Sequence, residues 1–212
     1  MKTRLQNFAA ALALVLLAFI MWAGVGRPAH AAETIPREAR AFQRDYVRIC
    51  HSVWKAGAPC ATMAAQIHQE SGWNCNARSS VGAQGCAQFM PATAADYPDE
   101  QGRVLPSDPR WSFLAQNRYM HALHSRASAA TPCDRMSKAL AAYNGGEGWL
   151  RRDEALAARL KLDPQKWESV AQVNAGRAPS AKTENNGYPA RILFTLEPRY
   201  IAARWGAGSC TP

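Results

Sequence analysis

The sequence predicts a mainly α fold in one domain behind an N-terminal export segment. Three observations carry that reading. Apolar residues recur every three to four positions along most of the chain. The breaks between those runs are Gly, Pro and Asn clusters. Six cysteines, Cys50, Cys60, Cys75, Cys86, Cys133 and Cys210, all fall after a signal-like N-terminus.

The N-terminus has the three parts of a secretory signal. Lys2 and Arg4 precede an uncharged run from Phe8 to Val25, and Ala29-His30-Ala31 supplies a small-residue end. Residues 1–31 are read as a signal peptide cleaved after Ala31, or as a signal-anchor, because the apolar run is also long enough to span a bilayer. Residues 32–212 form the remaining domain. Any membrane contact is expected through the N-terminal segment alone.

A first helix spans Glu38 to Lys55, with Phe42, Tyr46, Ile49 and Val53 on one face, and Gly57-Ala58-Pro59 ends it. Pro59 suits the first turn of a second helix that runs through Met63 and Ile67 to Glu70. Residues 71–91 are rich in Gly, Ser and Asn and read as a long ordered loop with room for a short hairpin. A short helix starts at Pro91, and Trp111 to Arg126 and Met136 to Tyr143 are helical. Asn144-Gly145-Gly146 stops the latter. Short helices are expected at Glu154 to Leu162 and Gln165 to Val173, then a polar loop from Asn174 to Asn186. A last helix runs from Pro189 to Arg204, interrupted near Pro198.

The chain has 212 residues with 25 Lys+Arg against 16 Asp+Glu, a net charge of +9. Three of the basic residues, Lys2, Arg4 and Arg27, lie in the export segment, which leaves +6 on the rest. An anionic partner follows from this balance. Export argues against nucleic acid, and no zinc-finger spacing, P-loop or RNA-binding signature appears. An even cysteine count outside the cytoplasm suggests disulfides. Loop-closure entropy favours near neighbours, giving Cys50–Cys60, Cys75–Cys86 and Cys133–Cys210. The other use of Cys133, as a metal ligand with His121 and His124, lacks the usual zinc spacing. No metal and no cofactor are expected.

Glu70 is the first candidate for chemistry. It closes a mostly apolar helix with Gln66 one turn earlier on the same face. The negative end of the helix dipole and partial burial both disfavour its ionisation. A carboxyl kept protonated near neutral pH can serve as a general acid. Glu70 opens the string Glu70-Ser71-Gly72-Trp73-Asn74, followed by Ala77 to Thr93 with Gly82-Ala83-Gln84-Gly85-Cys86-Ala87-Gln88-Phe89-Met90 at its centre. Later come Leu140-Ala141-Ala142-Tyr143-Asn144-Gly145-Gly146-Glu147-Gly148, and Glu184 with Tyr188.

In order and spacing these blocks resemble the soluble-lytic-transglycosylase (SLT) domain of glycoside hydrolase family 23, across roughly Pro59 to Leu196. The resemblance implies a lysozyme-like, mainly helical domain that cleaves peptidoglycan glycan strands without water, leaving a 1,6-anhydromuramyl end. Glu70 then stands where the family has its acid/base. Ser79, Gln88 and Met90 occupy sugar-lining positions, Tyr143 and Asn144 match a pair beside the catalytic carboxyl, and Glu184 matches a second glutamate that holds the muramyl sugar. The Tyr143 hydroxyl is expected to reach Glu70 or the substrate acetamido group. Trp73 is read as a sugar-stacking ring or as packed core. Gly82 and Gly85 supply backbone angles closed to other residues.

Two departures stand out. Gly85-Cys86-Ala87-Gln88 replaces the common Gly-Leu-Met-Gln, and Asn144-Gly145-Gly146 replaces Asn-Ala-Gly. A true lysozyme of the same fold, with Asp96 or another acid placing water, and a non-catalytic wall-binding piece of an envelope machine are the alternatives. The implied setting is the periplasm or cell envelope, as a monomer, in a phage or prophage endolysin or in a host wall enzyme.

Overall fold

A computed structural model describes residues 34–210. The proposed signal or signal-anchor, residues 1–31, lies outside the described residues. The contacts divide the chain at Thr34, and the helices belong to the unit that starts at Ile35.

The described residues form a helical array. In chain order it comprises α1 (Arg37–Trp54), α2 (Cys60–Ser71), α3 (Pro91–Ala94), α4 (Pro109–Arg126), α5 (Pro132–Gly145), α6 (Glu147–Arg159), α7 (Trp167–Gln172), α8 (Pro179–Ala190), a wider π-type segment (Arg191–Leu196) and α9 (Glu197–Ala202). Helix α2 is the axis. Every residue from Cys60 to His68 is buried, as befits a helix apolar nearly all round. The π-type segment, α9 and α1 pack against it, while α4 bridges α1 to α5 and α8 lies along α5.

An aromatic knot fixes these packings. Trp73 lies 5.2 Å from Tyr46, 5.5 Å from Phe113 and 5.1 Å from Trp205, ring centre to ring centre. Its indole N–H donates to the Tyr200 hydroxyl at 2.7 Å. Trp73 is therefore core, and the sugar-stacking reading is set aside. The chain's end is tied to α2, where Ala61 donates to the Ala207 carbonyl at 3.0 Å and Glu197 accepts from Thr62 and from the Ser209 amide.

Helix starts fall earlier than the apolar pattern suggests. Asp108 caps α4 by accepting from Trp111 N at 2.8 Å, and Thr131 caps α5 by accepting from Asp134 N at 3.0 Å. Pro109 and Pro132 occupy the first turns, where a missing N–H costs nothing. The helix expected from Glu154 begins at Glu147, directly after Gly146.

The larger correction is at residues 174–186. The polar run expected as a loop contains α8, which starts at Pro179 and continues through Pro189, the residue expected to begin the last helix. Its polar residues point inward: Lys182, Asn185 and Tyr188, three apart, are all buried. Cysteines pair as Cys50–Cys60, Cys75–Cys86 and Cys133–Cys210. With Cys133 bonded to Cys210, the trio with His121 and His124 is not a ligand set; both imidazoles instead pack edge-on against Trp54.

Candidate active site

Glu70 sits in the last turn of α2, half-buried, where Gly72 ends the helix in the left-handed conformation (φ 60°). Burial pushes its carboxyl from the ordinary 4.5 up to about 7, opposed by a hydrogen bond from Tyr188 and assisted by the negative charge of Glu184. The cause is desolvation of the charged form.

The hydrogen bond comes from α8: the Tyr188 hydroxyl donates to Glu70 Oε1. Behind it runs a buried polar chain. Tyr46 donates to Gln116 Oε1 at 2.9 Å, Gln116 Nε2 donates to Gln66 Oε1 at 2.6 Å, and Gln66 Nε2 donates to the Tyr188 hydroxyl at 3.1 Å. Every donor points toward the carboxyl. Oε1 is thereby an acceptor, and Oε2 is the oxygen left to carry a proton. In a low-dielectric interior such a chain is rigid, because each member is satisfied by the next.

Tyr143 is adjacent but differently engaged. Its hydroxyl donates to the Ala87 carbonyl at 2.7 Å, so the expected bond to Glu70 belongs to Tyr188 instead. Burial, and then the charge of Glu70, hold the Tyr143 hydroxyl well above its ordinary value. Tyr188 was visible in the sequence only as a companion of Glu184. The missing signal was the helix: four apart on α8, the two residues share a face.

The loop from Gly72 to Met90 is drawn tight against α2. Cys75–Cys86 closes it, Ser71 Oγ donates to the Cys86 carbonyl at 2.7 Å, and Tyr143 holds Ala87. Gln88 adopts φ 48°, and its amide N–H groups donate to the carbonyls of Gly85 at 2.9 Å and Ala77 at 3.2 Å. Ser79 Oγ accepts from Ala83 N at 2.9 Å, a turn cap. Gly85 has φ 81°, and a Cβ there would run into the Pro106 carbonyl. Met90 is exposed at the end of this loop.

Asn144 and Glu184 approach each other from α5 and α8, with Asn144 Nδ2 3.5 Å from Glu184 Oε1. Asn185 sets Asn144 by donating to its Oδ1 at 3.0 Å and to the Ala141 carbonyl at 2.8 Å. Asp96 acts electrostatically on Tyr97 and Tyr119, while the carboxylate acting on Glu70 is Glu184.

Chemically, this is a carboxyl tuned to exchange a proton near neutrality, between a braced loop and a polar pair on the opposite helices. The chain is 30% identical over 185 residues to the membrane-bound lytic murein transglycosylase F of Pseudomonas putida, covering 83% of this chain and 36% of that one. It is 34% identical over 112 residues to the protein of that name from Maricaulis maris, covering 52% and 24%. The chain thus spans about a quarter to a third of these relatives. The crystal structure of the 70 kDa soluble lytic transglycosylase of Escherichia coli superposes with a TM-score of 0.56 at 18% identity, over 84% of this chain and 32% of that one. That likeness supports the fold. The transglycosylase SLT domain model matches residues 50–186, well over half of the chain, and the chain therefore belongs to the transglycosylase SLT family.

Proposed function

We propose that this chain is a peptidoglycan lytic transglycosylase, cleaving the β-1,4 bond from N-acetylmuramic acid to N-acetylglucosamine with Glu70 as the sole acid and base. The observation that carries the reading is the half-buried Glu70 carboxyl at about 7, oriented by Tyr188. Such a group is present in both forms near neutral pH, as a residue serving first as acid and then as base requires.

The proton on Oε2 passes to the glycosidic oxygen as the C1–O bond breaks. The substrate's 2-acetamido carbonyl stabilises the positive anomeric carbon, as in substrate-assisted glycosidases. Glu70, now a carboxylate, takes the proton of the C6 hydroxyl while O6 closes onto C1. The carboxyl is restored and no water is consumed. Asn144 and Glu184 hold the muramyl sugar, and Ser79, Gln88 and Met90 line the glycan path. The family match and the names of the relatives support the substrate.

Residues 1–31 act as the signal or anchor that brings a monomeric domain to the cell envelope, where its positive charge favours anionic wall polymers. The test is mass spectrometry of purified sacculi digested by wild type and Glu70→Gln. The expected result is a 1,6-anhydromuramyl product from wild type and none from the variant. A reducing-end product would assign a lysozyme, and unaltered cleavage by Glu70→Gln would remove Glu70 from the chemistry.

A further inference from the structure

Three side-chain amides stand in the core with no exposed surface: Gln66 on α2, and Gln116 and Asn117 on α4. Burying an amide is costly unless its polar atoms find partners. An apolar side chain would fill the same space without that cost, so the amides need a reason. A carboxamide can also turn over, exchanging its acceptor oxygen for its donor nitrogen. What surrounds these three decides which way each one faces.

Asn117 is held from both sides by groups that cannot exchange roles. Its Oδ1 accepts from the Trp54 indole N–H at 3.0 Å, and an indole only donates. Its Nδ2 donates to the Phe113 carbonyl at 2.9 Å, and a carbonyl only accepts. The same Nδ2 donates to Gln116 Oε1 at 3.0 Å, an oxygen that also accepts from Tyr46. Gln116 is held in turn by the Met63 carbonyl, 3.2 Å from its Nε2. Turned over, Gln116 would set oxygen against that carbonyl and nitrogen against the Asn117 amide. Its Nε2 therefore faces Gln66 Oε1, which leaves Gln66 Nε2 to face the Tyr188 hydroxyl. That hydroxyl accepts from Gln66, and its one hydrogen goes to Glu70.

We infer that Gln116 and Asn117 are positioning residues for Glu70: anchored by Trp54, Phe113 and Met63, they fix the amide of Gln66 and so keep the Tyr188 hydroxyl donating to Glu70 in both protonation states of the carboxyl. The inference rests on the proposed reading, in which Glu70 gives up a proton and takes one back. A tyrosine hydroxyl beside a protonated carboxyl can swing to a better acceptor. Gln66 offers it nitrogen, so swinging away gains nothing. Oε1 stays an acceptor through both steps, and the proton leaves and returns at Oε2. The titratable groups that act on Glu70 are Glu184 and Tyr188 from α8 and Tyr143 from α5. Gln116 is two hydrogen bonds removed from Tyr188, so a change there leaves all three in place.

The experiment titrates Glu70 in the full chain by carboxyl-carbon NMR with isotope-labelled glutamate, the signal being assigned by its loss in Glu70→Gln. Gln116→Met, of similar volume, frees the Gln66 amide to turn over and draw the Tyr188 hydrogen away. The Glu70 midpoint is expected to rise by about half a pH unit, with kcat on sacculi about threefold lower and KM unchanged. In a Tyr188→Phe background the same substitution should move neither, because the effect passes through that hydroxyl. A midpoint that Gln116→Met leaves in place, or moves equally in both backgrounds, overturns the inference. If Gln116→Met does not fold, Gln66→Met is carried through the same two backgrounds and judged by the same criterion. The midpoint does not depend on turnover. A wild type that cleaves nothing therefore defeats the transglycosylase reading, while the midpoints still decide the positioning role.

Discussion

Gln66 donates a buried hydrogen bond of 3.1 Å to the Tyr188 hydroxyl, and Tyr188 in turn donates to Glu70. The carboxyl is therefore oriented by a residue one turn below it on its own helix, acting through a side chain 118 positions further along the sequence.

Replacing Tyr188 with Phe removes a bond that favours the ionised carboxyl and leaves the burial that opposes it. The Glu70 pKa then rises above about 7. The alkaline limb of the pH–rate profile should move to higher pH by up to about one unit, with kcat reduced about tenfold or more as orientation is lost. A limb that stays in place would show that Tyr188 does not tune the acid.

Glu70 also couples pH to stability. Its folded pKa of about 7 exceeds the ordinary 4.5, so the folded chain binds this proton more tightly than the unfolded one. Stability from this group is full below pH 4.5 and is lost as pH rises through about 7. Glu70→Gln escapes that loss. It should melt with wild type near pH 4 and be more stable at pH 8, by roughly 1–3 kcal/mol. Calorimetry at both pH values measures the difference.

Asp153→Asn leaves Arg177 and Lys182 facing each other without their shared carboxylate. A loss of about 3–5 kcal/mol is expected in urea unfolding, the cost of stranding buried charge. Lys182→Met should cost less, since the Asp153–Arg177 pair survives it.

Removing the Cys75–Cys86 bridge as Cys75→Ser with Cys86→Ala should cost about 2–3 kcal/mol. Cleavage should fall further than on removing Cys50–Cys60, because the first bridge closes the loop that carries Ser79 and Gln88. Mild reductant should act in the same direction. Unchanged kcat after verified reduction of this bridge would show that it is no brace.

The helical class was legible because α1, α2 and α4 carry their apolar residues at helical spacing. Glu70 was legible less from its place at the end of α2 than from the blocks that accompany it, Glu70-Ser71-Gly72, Gly82 to Met90 and Tyr143-Asn144. Helix α8 was not, because its inward face consists of Lys182, Asn185 and Tyr188. Polar residues become core only when their partners, Asp153, Arg177 and Gln66, arrive from elsewhere in the chain. The same blindness left Tyr188 out as a partner of Glu70: Tyr143 was expected to reach Glu70 or the substrate acetamido group, and its hydroxyl donates to Ala87.

The three crosslinks divide the candidate site into separate covalent territories. Two stitch residues 50–86, which bear Glu70 and the loop after it, and the third stitches residues 133–210, which bear Asn144, Glu184 and Tyr188. No sulfur bridge crosses from one bank to the other. What joins them is noncovalent, the Tyr188–Glu70 hydrogen bond and the packing of Trp73 on Tyr200 and Trp205, so the spacing between Glu70 and Glu184 is set by contacts that a reductant does not cut.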